Sequence, residues 1–201
     1  MNILDPKHLV ESLGFFGGHL AIWAIIFAES GLLVGFFLPG DSLLFAAGLL
    51  ASQGYLNIFA LIIGCFIFAV IGDNVGYATG KHFGRKLFSK EDSLFFHKKH
   101  IIKAQDFYDT HGKKTIVLAR FLPVVRTFAP IVAGIGKMDY ATFFKFNLLG
   151  GLVWTSGMSM LGFILGKSIP DVDKYLFPIS IAIVVISVIP SVLHLLSERD
   201  K

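Results

Sequence analysis

Charge is scarce in this sequence, and the residues that build most enzymes are scarcer. Asp, Glu, Lys and Arg make up only 16% of 201 residues, whereas hydrophobic residues make up 54%. A soluble domain of this length would have to hide several apolar runs of bilayer-spanning length at once, so the composition excludes that class. Cysteine is limited to Cys65, which excludes an intrachain disulfide framework. The opening residues MNILDPKHLVESLG lack both a basic start and a small-residue cleavage site. With Asp5 and Glu11 they read as a short amphipathic lead-in, not as a cleaved leader. No Ser-Gly-His element exists, and the second proline-broken segment described below contains no histidine, which argues against nucleophilic or general acid chemistry and predicts a protein that is not an enzyme. His82, His97, His100 and His111 lack the compact spacing of metal ligands. No metal, cofactor or nucleic-acid partner is expected.

What is present is a series of unequal apolar segments. Residues 57–80, 141–166 and 175–196 are long enough to span a bilayer, and 14–28 runs on into 29–52. Within 29–52 the hydrophobic stretch is interrupted by Glu29, Pro39, Gly40 and Asp41; within 115–136 it is interrupted by Arg120, Pro123, Arg126 and Pro130. Hydrocarbon offers no partner to a free backbone N–H or C=O, so a break at membrane depth is tolerated only inside protein or beside a water-filled cavity. Both interrupted segments are therefore expected to be re-entrant hairpins broken at Pro39, Gly40, Pro123 and Pro130, each arm reaching roughly half a bilayer.

Residues 81–114 hold nine of the eighteen Lys and Arg residues against four acids. By the positive-inside rule this linker is cytoplasmic, and its apolar residues predict amphipathic patches lying on the lipid surface. The expected fold is an all-α integral membrane protein with about four spanning helices and two re-entrant hairpins, forming a single membrane domain over 1–201 with both termini cytoplasmic. The last helix, 175–196, reads as scaffold, and homo-oligomers are compatible with this reading.

An internal repeat is visible. Shifted by 86 positions without a gap, Gly48, Gly64, Gly76, Gly80 and Lys81 fall on Gly134, Gly150, Gly162, Gly166 and Lys167. Each unit, about 29–81 and 115–167, would be an interrupted hairpin followed by a spanning helix, and the intervening cytoplasmic linker makes the two inverted. Inverted repeats with broken elements meeting at mid-membrane are the architecture of transporters.

The charges fall where such a substrate site would lie. Glu29 and Asp41 belong to the first interrupted segment, Arg120 and Arg126 to the second, and each costs about 2.5–3.5 kcal/mol at the bilayer centre, so pairing is expected. Two readings stay open on residues alone. The acids and arginines could form static ion pairs that pin the segments together. Alternatively, the arginines offer a fork suited to phosphate, while Glu29 and Asp41 take up protons when their arginines are occupied. His19, Asp73 and Asn74 are further candidates, respectively for a proton relay and for capping or a site role. Gly72, Gly76, Gly80 and Gly84 recur every fourth residue and allow another helix to approach closely.

Three stretches resemble a known family. F-L-P-G-D-S-x-L-x-x-A-G at 37–48, G-D-N-x-G-Y-x-x-G-K-x-F-G at 72–84 and R-F-x-P-x-x-R-T-F-x-P-x-x-A-G-x-x-x-M at 120–138 are similar to the bacterial DedA family, whose core is the SNARE-associated or VTT domain. The resemblance covers roughly residues 20–170. It implies a multi-pass protein of the bacterial cytoplasmic membrane that returns undecaprenyl phosphate, the polyprenyl carrier lipid of the cell envelope, from the outer to the inner leaflet in a flippase-like, proton-coupled manner. It also implies that the acid pair and arginine pair map onto Glu29, Asp41, Arg120 and Arg126. Pro39-Gly40-Asp41 stands where the family commonly has Pro-Gly-Glu. Alternatives are a phosphatidylethanolamine flippase or scramblase and a cation/proton antiporter.

Overall fold

The computed structural model describes residues 6–32, 40–87, 114–136 and 138–168, all helix and connecting turn. Six helices follow in chain order: α1 (Pro6–Gly31), α2 (Gly40–Ser52), α3 (Ile58–Leu87), α4 (Thr115–Ala119), α5 (Pro123–Ile135) and α6 (Tyr140–Ser168). Pro39, most of the basic linker and the helix expected at 175–196 lie outside the described residues. By length and composition, Ile58–His82 and Tyr140–Ser168 can cross a membrane. At 13 residues each, α2 and α5 reach only about 20 Å and cannot.

The surface of α3 shows which solvent it meets. Phe59, Ile63, Ile67, Ile71 and Val75, one turn apart, are exposed, Phe59 to 73%. Leu61, Cys65, Ala69 and Asp73, also one turn apart, are buried. The helix therefore turns its polar residue inward and an unbroken apolar stripe outward, the reverse of a helix folding in water.

The described residues form two compact units. One draws on Met1–Ile26, Phe37–Phe68 and Thr155–Lys201; the other on Phe27–Phe36 and Ala69–Trp154. In the first unit α2 runs alongside the end of α6. A Cβ at Gly48 would overlap the carbonyl oxygen of Ser159 and lie 3.0 Å from the amide nitrogen of Phe163, and one at Gly162 would overlap the carbonyl oxygen of Phe45. At its other end α2 stops in a turn that satisfies its last carbonyls: Gly54 takes φ +85°, its N–H donates to Ala51 O (3.1 Å), and the Tyr55 N–H donates to Leu50 O (3.1 Å). This is a Schellman stop, which needs glycine at the left-handed position. Asn57 then caps α3, its Oδ1 accepting from the Ala60 N–H at 3.0 Å.

The second unit repeats these contacts with different residues. α5 runs along the end of α3: a Cβ at Gly134 would overlap Tyr77 O and lie 2.8 Å from Lys81 N, and one at Gly80 would overlap Ile131 O. Asp139 caps α6 through the Thr142 N–H at 2.9 Å. Tyr77, Ile116, Ala133 and Phe143 form its apolar core, and the Tyr77 hydroxyl donates to Met138 O at 2.6 Å.

Comparing these contacts corrects the ungapped offset of 86. The short helices correspond at 86, Gly48 with Gly134 and Phe45 with Ile131, but the long helices correspond at 82, Asn57 with Asp139 and Gly80 with Gly162. The difference is one helical turn, which α2 carries beyond Gly48 and α5 does not carry beyond Gly134.

The proline positions also need one correction. The chain breaks between α4 and α5, where Leu122 is extended (φ −112°, ψ 108°) and Pro123 opens α5. A residue before proline is pushed out of the helical region, and proline at the first helical position loses no bond. Pro130, expected as a second break, lies inside α5. The helix continues through it because only the Arg126 carbonyl forfeits its intrahelical N–H, a loss that a buried helix tolerates.

Candidate substrate site

The second unit encloses a cluster of ionised side chains. Glu29 comes from the last turn of α1, Asp73 from α3, Arg120 from the end of α4 and Arg126 from the first turns of α5. All four are buried, Glu29 to 1% exposure. The break at Leu122 explains the last two: it turns the chain between them so that residues six apart in sequence reach one interior.

Each arginine meets an acid. Arg126 Nη2 pairs with Glu29 Oε1, and Arg120 Nη2 pairs with Asp73 Oδ2. Arg120 Nη2 also donates to Asn147 Oδ1. Asn147 in turn donates through Nδ2 to Val70 O (3.3 Å), a carbonyl that also accepts from Asn74 Nδ2 (2.7 Å). The Tyr140 hydroxyl donates to Asn74 Oδ1 at 2.9 Å, closing the network toward the surface.

α6 supplies the neutral wall. Asn147, Gly150 and Trp154 share one face, at spacings of three and four residues. A Cβ at Gly150 would stand 2.9 Å from Arg120 Cδ and 3.2 Å from its Nε, so the side chain lies in a groove that only glycine leaves open. Trp154, 1% exposed, presents its ring to both guanidiniums, with centroid distances of 5.0 Å to Arg126 Cζ and 6.0 Å to Arg120 Cζ. Among the described residues Glu29 Oε2, Thr127 Oγ1, Thr115 Oγ1 and Arg120 Nε are buried without a hydrogen-bond partner. Two positive and two negative charges thus neutralise each other inside an apolar shell, with acceptor capacity left on Glu29. Such a cluster can hold an anion if a carboxylate gives way.

The VTT domain matches residues 38–164. The chain is 42% identical over 196 residues to Protein DedA of Escherichia coli K12, covering 96% of this chain and 89% of that one. The chain belongs to the DedA family of membrane proteins. It is also 41% identical over 194 residues to an uncharacterized membrane protein of Mycobacterium tuberculosis, covering 94% and 85%, and 32% identical over 157 residues to the inner membrane protein YqjA of E. coli, covering 78% and 71%. No solved structure matches.

In this DedA-family chain the residues singled out in the sequence are drawn from both compact units. Glu29, Arg120 and Arg126 come together. Asp41 is a half-buried residue of the first turn of α2 and belongs to the first compact unit, while Asp73 joins the candidates as the acid paired with Arg120. The reason is packing: α5 lies on α3 through Gly76, Gly80 and Gly134, which puts the α4–α5 break beside the α3 acid. Gly40 is buried as the first residue of α2. His19 is a satisfied bundle histidine, its Nε2 accepting from the Asn57 N–H at 3.3 Å and its ring tilted against Trp23. Sequence reasoning passed over Asn147 and Trp154. A lone amide and a lone indole seven residues apart on one helix face were the available signal.

Proposed function

We propose that this chain is a transporter that moves a phosphate-bearing lipid between leaflets of the bacterial cytoplasmic membrane, with undecaprenyl phosphate carried from the outer to the inner leaflet as the substrate that the family resemblance implies. The observation that carries the reading is the pair of buried arginines, each matched by a carboxylate that a phosphate could displace. A static pin would be expected to satisfy its carboxylates fully, and Glu29 instead has an oxygen with no partner among the described residues.

Coupling to protons belongs to the same reading. A phosphate that takes a guanidinium leaves a carboxylate desolvated and without its counter-charge; both changes favour protonation, so headgroup and proton enter together. The membrane potential adds about 2.3 kcal/mol per charge for each 100 mV. In this reading α2 and α4–α5 are the re-entrant arms of two inverted repeats, α3 and α6 are spanning helices, and both termini face the cytoplasm. The corresponding glycine contacts in the two units support the repeat. Translocation of this kind makes and breaks no covalent bond.

The test is reconstitution of the purified chain in liposomes carrying labelled undecaprenyl phosphate, with accessibility of the label followed in each leaflet with and without a pH gradient. Exchange that requires the protein and accelerates with the gradient is the expected result. Exchange of labelled phosphatidylethanolamine alone would move the assignment to a phospholipid carrier, and cation flux without lipid exchange would replace it with an antiporter.

A further inference from the structure

One unbroken run of hydrogen bonds joins the buried Arg120–Asp73 pair to the surface along the seam between α3 and α6. It passes from Arg120 to Asn147, from the Asn147 amide to the Val70 carbonyl (3.3 Å), from that carbonyl to the Asn74 amide (2.7 Å) and from Asn74 to the Tyr140 hydroxyl (2.9 Å). Tyr140 is 50% exposed, whereas Arg120 is 4% and Asp73 3% exposed. The repeat does not require this polar seam: at the offset that relates the long helices, Ile58 stands for Tyr140 and Cys65 for Asn147. Polar side chains that packing does not need, inside an apolar bundle, mark a route for polar cargo.

Two features let the run open. Its outer end is a single contact: Tyr140 is the first residue of α6, its hydroxyl donates to Asn74, and its ring rests against Tyr77 and Phe144 (5.6 and 5.8 Å between centroids) without being buried. Its inner link is contested. A helical carbonyl already serves the N–H four residues on, so with two lone pairs Val70 O cannot satisfy both amides fully. Asn74 holds it at 2.7 Å and Asn147 at 3.3 Å. When the Tyr140 hydroxyl swings out, the Asn74 amide loses its anchor, and Asn147 can tighten on Val70 O and loosen its hold on Arg120.

We infer that the α3–α6 seam is the route by which the phosphate headgroup passes between the Arg120–Asp73 pair and the end of α3 that leads into the basic linker, with the Tyr140–Asn74 hydrogen bond as its gate. The inference rests on the transporter reading and deepens it. Closed, the gate keeps water from two ionised groups. Open, it presents the Tyr140 O–H and the amides of Asn74 and Asn147 in succession, donors along which phosphate oxygens can be handed to or from Arg120.

The experiment measures how fast an anion reaches the seam. A thiol is placed in it by Asn147→Cys in the full-length chain, whose native Cys65 is buried. Inverted vesicles, which turn the linker side outward, are treated with the impermeant anion sulfonatoethyl methanethiosulfonate. Labelling should be slow in this chain, about tenfold or more faster when Tyr140→Ala is added, and intermediate with Tyr140→Phe, which loses the hydrogen bond and keeps the ring. Farnesyl phosphate should slow the labelling at a concentration at least about tenfold below that of inorganic phosphate, because its tail adds apolar burial; equal potency supports the route with free phosphate as its cargo. Equal labelling of all three chains overturns the inference, as does acceleration seen only from the outer face of spheroplasts. Labelling of Cys65 in a Tyr140→Ala chain without the added thiol shows that Tyr140 holds the fold and not a gate, and overturns it too. Should Asn147→Cys fail to fold, lipid exchange decides: Asn74→Leu plugs the seam with an apolar side chain and should slow exchange of labelled undecaprenyl phosphate about tenfold or more at unchanged melting temperature, whereas native exchange by that variant overturns the inference. Absence of lipid exchange by the native chain overturns the transporter reading itself, and the inference with it.

Discussion

Gly134 on α5 lies directly against the carbonyl oxygen of Tyr77 on α3, and no side chain fits between them. Gly48 on α2 stands in the same relation to Ser159 on α6. In each unit a helix too short to span makes a backbone-to-backbone approach to a longer one. Apolar burial drives helix association only weakly in lipid, so close van der Waals contact must do it.

Alanine at Gly134 or Gly48 should therefore be destabilising out of proportion to its size. The added methyl meets backbone, which cannot rotate away, and overpacking of this kind costs about 1–3 kcal/mol. Gly157 is the internal control, because a Cβ there meets nothing within 4 Å. Alanine at Gly157 should be neutral or stabilising by up to ~1 kcal/mol through helix propensity. Thermal unfolding of the purified variants in detergent checks this, and equal behaviour at the three sites would show that the glycine contacts hold nothing together.

The turn between α2 and α3 reports which side of the membrane the first short helix faces. Gly54 is exposed in that turn, and Cys65, the native thiol, is fully buried and should give little background labelling. A Gly54→Cys chain places a side chain at φ +85°, at a cost of about 1–2 kcal/mol that a folded domain absorbs. An impermeant maleimide should label it from outside intact cells and not from the cytoplasmic face of inverted vesicles. Labelling from the cytoplasmic face would remove the inverted-repeat assignment.

The Asp73–Arg120 pair should behave as a buried ion pair. Both side chains are 5% exposed, so removing either partner alone leaves an uncompensated charge and should cost about 3–5 kcal/mol. The neutral double variant Asp73→Asn with Arg120→Gln should recover most of that loss, since no charge is then buried. A double-mutant cycle on unfolding free energy measures the coupling. Additive losses would mean that the two groups do not depend on each other.

How much of this was legible in the sequence depends on what each residue costs. Glu29, Arg120 and Arg126 stand out because an ionised group in an apolar run is expensive wherever it sits, so sequence alone marks it. Asp73 is equally charged but lies far along α3, where capping and contact with the basic linker compete as explanations, and Asp41 was the more central acid in the pattern. Placing Asp73 beside Arg120 required knowing which long helix each short helix packs on. The glycines at 76, 80 and 134 mark close approach without naming the partner. Asn147 and Trp154 cost little in a helix, so a lone amide and a lone indole seven residues apart on one face are the whole of their signal. The offset of 82 between the long helices was hidden because glycines one turn apart occur on both, allowing an ungapped match at 86 as well. Pro123 acts where the rules for proline place it, at the first helical position, but a proline in a buried helix need not break it, as Pro130 shows.

Lysine substitutions separate charge from shape at the two arginines. At Arg126 a guanidinium edge meets Glu29 while the ring of Trp154 lies 5.0 Å from Cζ, a double contact that a planar cation makes and an ammonium does not. Arg126→Lys should keep its ion pair and fold, because the charge on Glu29 is still matched, yet lose the bidentate grip on phosphate and much of the aromatic contact. A desolvated cation–π contact is worth about 2 kcal/mol, roughly thirtyfold in affinity, so lipid exchange in liposomes should fall by at least ~10-fold. At Arg120 one terminal nitrogen serves both Asp73 and Asn147, and an ammonium has donors enough for the two. Arg120→Lys should accordingly lose less transport than Arg126→Lys, and Trp154→Leu should follow the Arg126 variant. The measurement is initial exchange rate against melting temperature for all three chains. Full exchange by Arg126→Lys would show that positive charge alone carries the headgroup. A deeper loss at position 120 than at 126 would put the phosphate on the arginine held by Asp73 and Asn147.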